Sequence, residues 1–121
     1  MRKKAYRMNR SLNVFFVRAR AHIEPVLAEL GFQLFEDLHT PAAFGSAYST
    51  YSRRHTDVRL IWDGKEGALL AVYRTTSGWL DVERDARGLP KNSPYDTEHT
   101  DERIERLAAA IRAVFGGSSG Q

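Results

Sequence analysis

A chain of 121 residues with thirteen aromatic side chains is long enough to close one core and too apolar to stay disordered. It holds no cysteine, which excludes disulfides, thiolate nucleophiles and cysteine-based zinc or iron–sulfur sites. The net charge of +3 is unevenly placed: residues 1–20 hold seven bases and no acid, leaving eleven bases against fifteen acids in the rest.

Residues 1–10 therefore read as a flexible basic arm, either a solubilising terminus or a set of phosphate contacts. The apolar run "LNVFFV" that follows is cut off by Arg18 and Arg20, too soon for a signal-peptide core. No stretch approaches the roughly 20 apolar residues that span a bilayer, so the expectation is a cytoplasmic protein without a membrane. Ser11 reads as a helix cap. After it Leu12, Phe15, Phe16, Ala19, Ile23, Val26, Leu27 and Leu30 recur at helical spacing. Pro25 predicts a kink or a restart, Gly31 a left-handed cap, and Phe32 a return onto the last turn.

Beyond Gly31 the period changes to that of strands. "FQLFEDL", "FGSAYSTYSRR", "DVRLIW", "ALLAVYR" and "GWLDVE" are short, rich in β-formers and separated by turn residues. "DGKEG", residues 63–67, joins two of them as a hairpin, and residues 84–97, with two prolines and a glycine, read as a loop. A last helix starts at Thr97 or Thr100, presents Ile104, Leu107, Ile111 and Val114 or Phe115 as one stripe, and stops at Gly116. Residues 11–116 thus form a single α+β domain, α-β-β-β-β(-β)-α, an antiparallel sheet with both helices on one face. Residues 117–121 are a flexible tail.

Alternation places Val58, Leu60 and Trp62 toward the helices and Asp57, Arg59 and Ile61 away from them. Carrying that parity along the chain turns Phe44 and Tyr48 inward, and Ser49, Tyr51 and Arg53 outward. Of the two choices in the next strand, Leu70 and Val72 or Leu69 and Tyr73, the second pair is taken as outward. The open sheet face would then mix Tyr51, Arg53, Arg59, Tyr73, Trp79 and Asp81. Exposed aromatics among charges of both signs suit a protein-binding surface.

Enzyme chemistry has less to rest on. The four histidines, at 22, 39, 55 and 99, occupy four separate segments without an HExxH pattern, so no metal site is expected. No GxSxG elbow and no phosphate-binding glycine loop is present, so no catalytic residue and no cofactor is assigned. Asp81, Glu83 and Asp85 alternate along "WLDVERD" and would share a strand face. They read either as an acidic edge or, as an alternative function, as the site of a metal-dependent hydrolase or nuclease.

The order of elements resembles that of small bacterial α+β interaction domains, among them some toxin-immunity proteins and secretion chaperones. The likeness is one of topology, implies a binding role and transfers no residue. The resulting expectation is a non-catalytic interaction protein that binds a protein partner, or a second copy as a homodimer, through the open sheet face. The alternative partner is nucleic acid, held by Arg2, Lys3, Lys4, Arg7 and Arg54 with sheet tyrosines stacking on bases.

Overall fold

The computed structural model describes residues 13–116 apart from Pro41 and Lys91. The expected arm, the Ser11 cap and the tail lie outside them. Helix α1, Val14–Glu29, is capped by Asn13, whose side-chain oxygen accepts from the Phe16 amide at 3.0 Å. The helix continues through Pro25 without a restart. Pro25 is exposed, so the carbonyl that loses its amide partner lies toward solvent.

At the other end Gly31 takes φ +92°. The Phe32 amide returns to the Leu27 carbonyl at 2.9 Å and the Gly31 amide to Ala28 at 3.0 Å, which closes the helix and buries Phe32. Arg53 locks this corner. Its guanidinium donates to the Leu30 carbonyl at 2.8 Å and lies 4.7 Å over the Phe32 ring.

Five antiparallel strands follow in sequential order: β1 Gln33–Thr40, β2 Ser46–Arg53, β3 Thr56–Asp63, β4 Ala68–Thr75 and β5 Gly78–Asp81. The "DGKEG" turn forms as expected. Asp63 accepts the Lys65 and Glu66 amides through its side chain, both at 3.1 Å, and Gly67 closes the turn at φ +68°.

Val58, Leu60 and Trp62 are buried against the helices, as expected. The faces of β2 and β4 are the reverse of the expectation. Tyr51 lies opposite Val58 and Ser49 opposite Leu60, so both face the helices, while Tyr48 lies opposite Ile61 on the open side. Likewise Leu69 opposes Trp62 and Tyr73 opposes Val58, which leaves Leu70 and Val72 outward. The cause is the even number of residues in the two loops that flank β3, two between Arg53 and Thr56 and four between Asp63 and Ala68. Such a loop pairs an odd-numbered residue with an even-numbered one, so parity carried unchanged along the chain lands on the wrong face. Tyr51, Arg53 and Tyr73 therefore leave the expected binding face. Phe44, expected inward, sits in the β1–β2 connection at φ +60° and 70% exposed.

A second correction concerns residues 82–87. "GWLDVE" does not remain a strand, because Asp81 accepts the Arg84 amide through its side chain at 2.9 Å and starts a short helix, α2, Val82–Arg87. Gly88, at φ +65°, ends it. Asp81, Glu83 and Asp85 thus do not share a strand face, and the geometry on which the acidic-site alternative rested is absent. Asp81 caps the helix, Glu83 pairs with Arg103, and Asp85 accepts from the Tyr73 hydroxyl at 2.9 Å.

The last helix, α3, Asp101–Phe115, is capped by Thr100 and buries Ile104, Leu107, Ile111 and Phe115. With α1 it covers one face of the sheet, and the core between them includes Phe16, Ile23, Leu27, Leu60 and Leu107. Arg103 is buried within that layer at 2% exposure. Its two terminal nitrogens each reach a different Glu83 oxygen at 2.9 Å, and one also donates to the Leu69 carbonyl at 2.7 Å.

Candidate binding surface

Two polar assemblies compete for a functional reading, one on each side of the sheet. On the helix side, Arg20 and Glu24 of α1 meet Asp37, Ser49 and Tyr51 of β1 and β2. Arg20 reaches Asp37 at 3.0 Å and Ser49 Oγ at 3.2 Å, Ser49 donates to Asp37, and Tyr51 donates to Glu24 at 2.7 Å. Ser49 is fully buried and Tyr51 is 2% exposed. These bonds tie α1 to the sheet and leave no hydroxyl facing solvent. Burial, helped by the Glu24 hydrogen bond, pushes the Tyr51 phenol well above its ordinary range.

That shift carries a pH dependence of known sign. A phenol held protonated in the fold stabilises it fully below the ordinary tyrosine value near 10, and the contribution is lost as pH rises beyond it. Tyr51→Phe should therefore unfold less steeply than the parent between about pH 10 and 12 in urea titrations. Some slope should remain, because burial and the Asp85 bond raise Tyr73 in the same direction. Equal slopes in the two proteins would show that Tyr51 ionises freely.

On the opposite side neither α1 nor α3 covers the sheet, and α2 reaches only its β5 edge. Leu38, Tyr48, Thr50, Arg59, Ile61, Leu70, Val72, Arg74, Trp79 and Asp81 lie on this face by register. Arg59 is its centre. The guanidinium lies 4.0 Å over the Tyr48 ring and 4.6 Å over the Trp79 ring, and Nε donates to Thr50 Oγ1 at 3.0 Å. Glu36 approaches its far side at 3.8 Å. Clamped in this way, Arg59 covers Thr50, which is 2% exposed although it points away from the helices. The two rings become fixed, low-entropy contact surfaces.

Beside this stack the face drops into a groove of about 620 Å³ between β4–β5 and the segment from α2 to Tyr95. Leu70, Val72, Leu80 and Leu89 supply apolar lining, with Trp79 and Tyr95 as aromatic walls. Arg84, Asp81 and Asp85 bring the charges. The volume falls within the range of about 300–1,000 Å³ typical of ligand sites.

Of the expected binding residues, Arg59, Trp79 and Asp81 come together here, and Tyr51, Arg53 and Tyr73 do not. Tyr48, Leu70, Val72, Leu89 and Tyr95 join them without having been expected. Only Leu70 and Val72 had a sequence signal, as the other choice of outward pair in β4. The nucleic-acid alternative keeps Arg54, exposed in the β2–β3 turn at φ +48°, whereas Arg2, Lys3, Lys4 and Arg7 fall outside the described residues. Among the described residues no group of three or more histidine, aspartate or glutamate side chains could hold a metal ion. Nor is any described helix long and apolar enough to cross a membrane. Comparison of the chain with protein-family models, with curated proteins and with solved structures finds no match.

Proposed function

We propose that this chain is a binding protein that engages another protein, or a second copy of itself, through the open face of its sheet. The observation that carries the reading is the Tyr48–Arg59–Trp79 stack at the centre of the face that α1 and α3 leave open. Aromatic and arginine side chains held rigid among aliphatic neighbours are the groups that dominate binding energy once water is excluded from them. Ile61, Leu70 and Val72, half-buried around the stack, supply that apolar surround. The absence of cysteine from the whole chain fits the reducing cytoplasm as its compartment.

The test pairs folding with binding. An Arg59→Ala/Trp79→Ala double variant should keep a cooperative melt, because both residues lie outside the helix-side core. Native mass spectrometry of protein gently isolated from its host identifies what stays bound. That complex, or a self-association detected by sedimentation of the parent chain, should be lost in the double variant. The loss should persist at high salt, since desolvated ring contacts are weakly screened while exposed charges fade beyond about 8 Å at physiological ionic strength. A folded variant that retains the complex unchanged would sink the proposal. So would affinity for RNA or single-stranded DNA that falls linearly with salt in log–log terms, which is the signature of phosphate contacts.

A further inference from the structure

The charges around the groove specify more than its apolar lining does. Resting on the protein-binding reading above, we infer that this groove receives a basic side chain, arginine or lysine, of the bound protein. Two carboxylates and one guanidinium line it, so a single added positive charge brings the site to balance. Each carboxylate has capacity to spare. Asp81 uses Oδ1 to accept the Arg84 amide, and Asp85 uses Oδ2 to accept from the Tyr73 hydroxyl. The remaining oxygen of each makes no hydrogen bond among the described residues.

Arg84 does not compete for them. Its guanidinium donates to the Ser93 carbonyl and lies 4.7 Å over the Tyr95 ring. Covering the groove with an uncharged apolar group would strip water from two carboxylates without replacing it, and an anionic group would add repulsion. A lysine or arginine avoids both penalties. Its methylenes lie along Leu70, Val72 and Leu89, and its charged end reaches the carboxylates at the rim. The rings do not make this selection, since Arg59 and Arg74 lie over Trp79 at 4.6 and 5.6 Å and Arg84 over Tyr95; the unused carboxylate oxygens make it.

Three short peptides, each acetylated at the N-terminus and amidated at the C-terminus, test this without any partner in hand: Leu-Arg-Leu, Leu-Gln-Leu and Leu-Glu-Leu. Each is titrated into the full chain while NMR follows the Trp79 indole and the methyl groups of Leu70, Val72 and Leu89. The arginine peptide should shift these signals with about two- to fivefold higher affinity than the glutamine peptide, the ratio expected from one exposed ion-pair contact. The glutamate peptide should be the weakest.

Asp81→Asn/Asp85→Asn should abolish the preference and keep the fold, since asparagine caps a helix as well as aspartate and its carbonyl still accepts from Tyr73. Equal binding of the arginine and glutamine peptides, stronger binding of the glutamate peptide, shifts centred elsewhere, or no shifts at all would each overturn the inference. The two readings fail separately. A partner that is lost on Arg59→Ala/Trp79→Ala but held normally by Asp81→Asn/Asp85→Asn keeps the open face and removes the groove assignment. A selective arginine peptide in a chain that binds no protein does the reverse.

Discussion

Replacing Arg103 by methionine should cost on the order of 3–5 kcal/mol, because it leaves a carboxylate buried without its partner. Glu83 has a side chain only 12% exposed and accepts both of its close bonds from Arg103. Arg87 stands 3.7 Å away and supplies part of the missing charge, which favours the lower end of the range. The Leu69 carbonyl would lose its donor as well. Adding Glu83→Gln to the methionine variant should recover part of the loss, since the stranded charge disappears with it. Lysine at 103 should fall between, as a point charge cannot bridge two carboxylate oxygens and a carbonyl as the planar fork does.

Urea denaturation of the four proteins measures these terms, and a methionine variant within about 1 kcal/mol of the parent would remove Arg103 as an anchor. The pair also matters for binding. It fastens α2 to α3, and α2 with the residues after it forms one side of the groove. Hydrogen exchange should therefore quicken in α2 of the methionine variant before it does so in α1.

How much of this could be read from the chain depends on the range over which each signal acts. Local chemistry was legible. "DGKEG" specifies its own turn through Asp63 and Gly67, "ELGF" its own cap through Gly31, and the Ile104–Leu107–Ile111 stripe its own buried face. The order of α1, the strands and α3 followed from these. What failed was information held in pairing. Whether Tyr51 or Tyr48 faces the helices depends on whether the β2–β3 loop holds an even or odd number of residues, and the composition of β2, rich in serine and tyrosine on both sides, does not decide it.

Helix α2 was missed for a different reason. "GWLDVE" has the residues of a strand, and only the Asp81 cap, the acids of the first turn and Gly88 speak for a helix. Arg103 gave no sign of burial, because a charge beside Ile104 reads as the solvent side of α3 until Glu83 is known to face it. The candidate site shares this history. Trp79, Arg59 and Asp81 stood out by residue type, whereas Tyr95 entered from a proline-containing segment that strands and helices had to position first.

The reversed face of β2 leads to the other large effect. Tyr51→Ala should cost on the order of 3–5 kcal/mol, the range for removing a buried aromatic ring, and Leu107→Ala about 2–5 kcal/mol. Tyr51 is 2% exposed, shares the core cluster with Leu107 and directs its hydroxyl to Glu24 at 2.7 Å. Truncation removes the ring and also leaves Glu24 without its donor, so the loss should exceed that of Tyr51→Phe by the value of the ring. Tyr48→Ala, three positions earlier in the same strand, is the control. Its half-buried ring lies on the open face against Arg59, where truncation forfeits a stacking contact of about 0.5–1 kcal/mol and less burial than the Tyr51 ring loses in the core. A strand turned the other way would invert the order, making Tyr48 the costly position and Tyr51 the cheap one. Thermal and urea unfolding of the three alanine variants therefore decide which face of β2 meets the helices. They decide equally which of the two tyrosines is free to meet a partner.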